Sequence, residues 1–372
     1  MTAKQKIQQL LSLADIKVNG PDPWDLQVHD ERFYQRALSH ASVGLGESYM
    51  DGWWDVSDLQ EFFYRIHRAD LGKHIRSLEL IWLGVKSALF NLQKKSESKQ
   101  VARQHYDIGN DLYHAMLDKN MQYTCAYWKD AKTLDEAQES KLHLICRKLH
   151  LKPGMRVLEL GGGFCGLARF MAKEYGCEVV TYNISKEQVK FGREFCADLP
   201  VRIEERDYRE AMHEKGTFDR IAAVGLCEHI GYRNYRPFLQ LVRAKIERTG
   251  LFLLHTIGGN RSRTSTDPWI DKYIFPNGML PSIAQLGRAM ENLWVMEDLH
   301  NFGPDYAKTL LAWWKNFETR YCTLDKARYD QRFFRMWKLY LMMSAGSFRA
   351  RRMQLWQVVL STGEVPEYEP VR

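Results

Sequence analysis

Metal-ligand spacing is missing from this chain. Its seven cysteines include no CxxC pair and no His/Cys set at zinc-site intervals, so no metal site is expected. An odd, scattered count also excludes a disulfide framework and suits a reducing compartment. No apolar run reaches the roughly 18 residues that a membrane-spanning helix needs. The opening MTAKQKIQQLLSLADIKVNG has neither a long apolar core nor a small-residue cleavage site, so no signal peptide is expected. No internal repeat is visible. These absences leave a cytoplasmic protein whose membrane contact, where it has one, is peripheral.

What the chain has in quantity is aromatic: 11 Trp, 18 Tyr and 17 Phe among 372 residues. That richness serves a well-filled core or a pocket for long apolar chains. A formal charge of +7 suits an anionic partner, nucleic acid or acidic lipid surface, without choosing between them.

The pattern divides the chain into a small, mainly helical domain over 1–95, a linker over 96–103 and a catalytic domain over 104–372. In the first part Lys4–Ala14 reads as an amphipathic helix, Asp51–Ala69 carries apolar residues at mixed helical spacing, and IRSLELIWLGVKSALFNL has one apolar face. The last of these lies in a basic stretch, the pattern of a helix resting on an anionic bilayer or of a core helix with a solvated face. QKKSESKQ is polar and reads as linker. After a helix at Leu134–Leu149, strands and helices alternate: MRVLEL, EVVTYNI, VRIEERD, FDRIAAVGL and GLFLLHTI are strands. That rhythm predicts an α/β fold with a parallel, doubly wound, Rossmann-like sheet. Aromatic helices such as FFRMWKLYLMMSAGSFRARRMQLW follow.

At VLELGGGFCGLARF the first strand runs into GxGxxG, Gly161, Gly163 and Gly166, opening a helix. Glycines there let a ligand lie against bare backbone at a helix N-terminus. Nicotinamide, flavin and S-adenosylmethionine sites share the motif. Glu159, at the strand end, would repel a pyrophosphate and suits the cationic part of S-adenosylmethionine. The second strand ends VVTYNIS with no acid for a ribose, leaving neutral contacts to Asn183 and Gln188. Asp207 can accept from an adenine amino group, or be a turn acid; Tyr208 can stack. The residues therefore favour an S-adenosylmethionine-dependent methyltransferase. On the acceptor side, strand ends offer Glu228 and His229 in CEHIG and His255 in HTIGGN, the last on so apolar a strand that a satisfied core histidine is the plainer reading. MQYTCAYW precedes the sheet and is placed to fold over the cofactor. A nucleic-acid methyltransferase is the rival, but no NPPY-type or PC-type acceptor motif is present, and the basic runs are interleaved with apolar faces. No nucleic-acid partner is expected.

HYDIGNDLY, YTCAYW, CEHIG, LHTIG, DPWIDKYIFPNG and HNFGPDYAKTL together resemble the cyclopropane-fatty-acyl-phospholipid synthase family, related to the mycolic acid cyclopropane synthases. The resemblance covers nearly the whole chain, including GLGESYMDGWWD in the small N-terminal domain. It implies methylene transfer from S-adenosylmethionine to the cis double bond of an unsaturated phospholipid acyl chain, through a carbocation, with a bound bicarbonate taking the proton. It implies bicarbonate ligands at Cys125, Glu228, His255, the Ile257 backbone and Tyr306, which reverses the plain reading of His255. On the donor side it implies Tyr123 and Thr124 at the methionine part, Glu159, Leu160, Gly161, Gly163 and Gly166 at the loop, Asn183, Ile184 and Gln188 at the ribose and adenine edge, and Asp207 and Tyr208 at the adenine. The implied partners are anionic bilayers met peripherally at the inner membrane face; a homodimer is left open. A methyl-branched or methylene lipid product, or a decayed lipid-binding relative, are the alternatives. Where the family reads LDIGCGWGGLA, this chain has LELGGGFCGLA, which sets a side chain, Cys165, beside the methionine moiety in place of glycine.

Overall fold

The computed structural model describes residues 1–73, 109–365 and 367–372. The expected helix IRSLELIWLGVKSALFNL and the linker 96–103 lie outside them. Helix α1 (Ala3–Ser12) forms where the Lys4–Ala14 pattern expects it, begun by a capping box between Thr2 and Gln5. Strand β1 (Gln27–Val28) precedes α2 (Arg32–Met50), which breaks at Ala41, where φ is 44°. Asp51–Ala69 is not one helix: Trp54–Asp55 forms β2, paired with β1, and only Leu59–Arg68 is helical (α3). The cause is local. The Asp58 carboxylate accepts from Glu61 N at 2.9 Å and starts the helix there.

The remaining helices are α4 (Asn110–Met116), α5 (Leu134–Lys148), α6 (Gly166–Tyr175), α7 (Lys186–Phe195), α8 (Cys227–Ile230) and α9 (Tyr235–Lys245), followed by α10 (Pro268–Tyr273), α11 (Ile283–Met290), α12 (Pro304–Arg320) and α13 (Gln331–Arg349). They surround a seven-stranded sheet. Strands β3 (Arg156–Leu160), β4 (Glu178–Asn183), β5 (Val201–Glu205), β6 (Phe218–Val224) and β7 (Ile246–Gly259) are parallel, in the order β5-β4-β3-β6-β7. These are the five strands read from the sequence, in an α/β fold of the methyltransferase type. The order reverses at β3, so a crevice opens at its C-terminal end.

Two strands depart from that reading. β8 (Val295–Asn301) and β9 (Met353–Ser361) extend the sheet antiparallel, with β9 between β7 and β8. The expected C-terminal helix therefore ends early. Arg351 takes a left-handed φ of 61°, and the residues MQLW enter β9 instead of continuing α13. Leu355, Val358, Val359 and Leu360 are buried in succession, the run of a strand covered on both faces.

The N-terminal elements pack against α10 and α13. Arg349 donates to Glu61 at 2.6 Å, and the Ser347 hydroxyl lies 2.7 Å from His67 Nε2. Glu47 on α2 accepts from Lys272 at 2.6 Å and Tyr273 at 2.7 Å. One apolar cluster runs from Phe33, Trp54 and Phe62 to Trp313, Trp337 and Phe348. Among the described residues no helix is long and apolar enough to cross a membrane.

Gly46 lies flat on the Trp269 indole, where an added Cβ would come within 2.3 Å of the ring. Because the indole is buried, it cannot swing away. Gly46→Ala is expected to destabilise the protein by about 1–3 kcal/mol, read as a lower urea midpoint with an unchanged slope.

Candidate active site

The end of β3 builds the first half of the site. Gly161 (φ 84°) and Gly163 (φ 52°) take conformations that favour glycine. Gly162 is needed for space: a Cβ there would lie 2.1 Å from Thr181 Oγ1 and 3.0 Å from Glu159 Oε2. The loop is pinned to β4, since Gly161 N and Gly162 N both donate to Tyr182 O and Asn183 Nδ2 donates to Gly163 O at 2.7 Å.

A cavity opens over this loop. Of the donor-side residues read from the sequence, Tyr123, Thr124, Glu159, Gly161, Gly163 and Asn183 line it, as do Ile184, Gln188, Asp207 and Tyr208. Leu160 and Gly166 do not. Leu160 faces the sheet core, and Gly166 opens α6 where a Cβ would strike Asn120 O at 1.9 Å. Cys165 also stands clear of the cavity. Its left-handed backbone (φ 62°) turns the thiol into the core against Gly192, so the expected neighbour of the methionine moiety is instead a packing residue. Asn183 and Gln188 are bonded to each other at 2.9 Å, and Asp207 accepts from Arg209 N at 3.0 Å and Nη1 at 2.9 Å. Glu159 is fully buried and accepts from Thr181 at 2.7 Å. Burial raises its pKa to about 7, against the Thr181 bond and the charge of Lys141.

A strip of chain, Met121 to Thr124, forms one wall of the cavity. Asp118 accepts from Asn120 N and Gln122 N, each at 2.8 Å, Gln138 Nε2 donates to Thr124 O at 2.8 Å, and Thr309 Oγ1 accepts from Ala126 N at 3.1 Å. Lys141, wholly buried on α5, donates to Gln122 Oε1 and, at 3.0 Å, to Thr124 Oγ1. The sequence reading missed Gln138, Lys141 and Thr181. Lys141 had a signal: it lies four residues from both Ala137 and Ile145, on the apolar face of its helix.

A second cluster holds Cys125, Glu228, His255, Ile257 and Tyr306, none of which lines the cavity. β6 and β7 pair Val224 with His255, which sets α8 beside the end of β7. Glu228 Oε1 accepts from Ile257 N at 2.7 Å. Its Oε2 is buried without a partner, and so is His255 Nε2. Gln357 Nε2 lies 3.3 Å from His255 Nδ1; as donor it leaves the imidazole proton on Nε2. Glu228 Oε2 and His255 Nε2, with Gln357 Oε1 also orphaned next to the imidazole, are buried polar atoms that a small group able both to give and to accept hydrogen bonds would satisfy. Bicarbonate fits that description. Burial raises Glu228 to about 7 against the Ile257 bond, and drives His255 well below its ordinary value. Burial also raises the Cys125 thiol and the Tyr306 phenol, the latter sensing both Cys125 and Glu228. Cys125 thus stays a thiol, donating to Ala126 O at 3.2 Å. His229 lines the cavity edge-on to Phe275, and burial lowers it to about 4. Aromatic rings join the two halves: Tyr123 touches Tyr113 and Trp313, and its hydroxyl is 3.1 Å from that of Tyr340.

The profile of the mycolic acid cyclopropane synthetase family matches residues 93–358. The cyclopropane-fatty-acyl-phospholipid synthase of Escherichia coli is 48% identical over 356 residues, which cover 95% of this chain and 92% of that one. A probable fatty acid methyltransferase of Pseudomonas putida is 34% identical, covering 91% and 88%. Among solved structures, the mycolic acid cyclopropane synthase CmaA1 complexed with SAH and CTAB is similar at a TM-score of 0.62 and 27% identity, covering 70% of this chain and 97% of that one.

A carboxyl held at a raised pKa costs stability once it ionises. For Glu228 the cost is absent below the unfolded value of 4.5, grows as pH rises and is complete above about 7. Glu228→Gln removes it and keeps the acceptor for Ile257 N. The variant is expected to gain stability over the parent as pH rises from about 5 to about 8, by up to about 3 kcal/mol, in urea titrations at the two pH values. A constant difference would show that Glu228 titrates normally.

Proposed function

The chain belongs to the mycolic acid cyclopropane synthetase family, and from that premise we propose that it carries a methylene unit from S-adenosylmethionine to the cis double bond of an unsaturated phospholipid acyl chain, closing a cyclopropane ring. The observation that carries the reading is the pair of orphaned atoms, Glu228 Oε2 and His255 Nε2, both buried and neither lining the glycine-loop cavity.

The donor cavity fits a cationic methyl donor. Glu159 offers negative charge at the loop, Asp207 and Tyr208 offer an acceptor and a ring at the far end, and Thr124 and Gln122 form the opposite wall. An alkene is a weak nucleophile, so the reaction depends on holding it in line with the sulfonium methyl. Its π electrons bond the methyl carbon, the carbon–sulfur bond breaks, and S-adenosylhomocysteine leaves with that electron pair. The acyl chain then carries a carbocation. Loss of one proton from the transferred methyl frees the C–H pair to close the third ring bond. Tyr123, which lines the cavity and is backed by Trp313 and Tyr340, would exclude water and offer π electrons to the cation.

Cys125, Glu228, His255, the Ile257 backbone and Tyr306 are the residues that would hold bicarbonate. When bound, that anion supplies a base for the ring-closing proton. Glu228 holds the acceptor position beside Ile257 N, and neutral His255 gives its Nε2 proton as a donor. The substrate lives in a bilayer, so the enzyme meets it peripherally, at the inner membrane face.

Two measurements test the reading. With S-adenosylmethionine and unsaturated phospholipid vesicles, the product should be heavier by one CH₂ and lack the alkene; a surviving double bond or a methylated headgroup refutes it. Glu228→Gln should lower turnover by at least about a hundredfold while donor affinity stays constant. In the parent, turnover at saturating donor should fall as pH drops through about 7, where Glu228 gains its proton.

A further inference from the structure

The reaction as derived gives no task to Lys141, a buried charge beside the donor cavity. Lys141 is wholly enclosed, and its ammonium sits under the strip that separates the donor cavity from the acceptor cluster. Burial of an ammonium is costly unless something uses the charge; here it lowers the pKa to about 8.

We propose that Lys141 is a positioning residue for the methyl donor: its ammonium fixes the Gln122 and Thr124 side chains as a cavity wall and supplies a counter-charge to Glu159 at the glycine loop. The proposal rests on the cavity being an S-adenosylmethionine site.

Charge accounting around the ammonium supports it. The titratable groups that sense it are Asp118 and Cys125 from the strip, Glu159 from β3, His255 from β7 and Cys146 from its own helix. Burial keeps both thiols protonated and His255 neutral. Three charges remain: Lys141, Asp118 with a pKa raised to about 6, and Glu159 raised to about 7. S-adenosylmethionine, a zwitterionic amino acid carrying a sulfonium, brings a single net positive charge, which an ionised Glu159 would meet at the glycine loop. Without Lys141, the buried Glu159 would lose a positive charge that favours its ionised form. The hydrogen bonds add geometry. Thr124 is held at its carbonyl by Gln138 and at its hydroxyl by Lys141, one turn apart on the same helix. Its methyl in turn sits 3.0 Å from where a Cβ on Gly225 would be, so the wall has little room to shift.

The test is calorimetric titration of the full chain with S-adenosylmethionine and S-adenosylhomocysteine between about pH 6 and about pH 9. For the parent, affinity for the sulfonium should fall below about pH 7, as Glu159 is protonated, and above about pH 8, as Lys141 loses its proton. Lys141→Gln, which retains a hydrogen-bond donor, and Lys141→Met, which retains only bulk, should both weaken the sulfonium at pH 7 by at least about tenfold. Both should lose the alkaline limb and shift the acid limb to higher pH, and the neutral sulfide should be less affected. A folded variant that binds with parental affinity, or one that binds weakly with an unshifted profile, overturns the proposal; the second result would make Lys141 a packing residue. Should neither variant fold, the parental alkaline limb decides, and its absence overturns the proposal. A parent that binds neither ligand removes the donor reading itself, and this inference with it.

Discussion

The site depends on a short strip of backbone being stitched between two helices. Residues 118–128 have almost no regular structure, yet they form the wall between donor and acceptor. Gln138 and Lys141 hold the strip from α5, and Thr309 and Asp305 hold it from α12, the last accepting from Trp128 N at 2.8 Å. A buried irregular segment must satisfy its own polar groups. Here nearly every partner is a side chain, so the segment's shape is written in residues far away in sequence. Met121 to Thr124 all line the donor cavity, and Cys125, the next residue, does not.

Electrostatics imposes the second constraint. The proposed reaction forms a cation from which a proton must then leave, so it calls for acceptors without much water. The fold answers by burying carboxyl groups and letting their pKa values rise: Asp118 to about 6, Glu159 and Glu228 to about 7. Groups poised near neutrality are where burial and partners nearly balance. His255 and His229 are pushed down and the Cys125 thiol up, each into its neutral form. The result is a sparse set of charges, each placed against a specific atom, in an interior otherwise given to aromatic packing.

Much of this was legible in the sequence, and the physical reasons differ from one feature to the next. Strands β3 to β7 announced themselves because each is a short apolar run bounded by a turn and followed by a helical period. The glycine loop was legible because its conformations exclude most other residues. β9 was not, because MQLWQVVLS is apolar on both faces and follows directly on a helix that shares its composition; only the left-handed turn at Arg351 separates them. The break at Trp54 escaped for a similar reason, since a two-residue strand is fixed by its partner across the chain and leaves no period. Glu228 and His255 were offered by their places at strand ends, whereas their roles, and Tyr306 altogether, came from the resemblance. On residues alone His255 reads as core, and it is in fact buried; its significance lies in an unsatisfied nitrogen, which no sequence displays.

The departures in the glycine loop follow from the same logic of space and charge. The family pattern has a shorter acid at position 159 and a cysteine at 162. In this chain the longer Glu159 reaches Thr181, and the Thr181 hydroxyl occupies the room that a side chain at 162 would need. Gly162 is therefore a consequence of the Glu159–Thr181 bond, and the three positions make sense only together. Cys165 follows a different rule. Glycine at that position would take the left-handed backbone freely, whereas cysteine strains it by about 1 kcal/mol, offset by a buried sulfur wedged against Gly192. Because that sulfur points into the core, the loop keeps its backbone bare toward the cavity. A change that looks like damage in the motif thus leaves the surface offered to the ligand intact, and the variation is absorbed on the side of the loop that faces the protein.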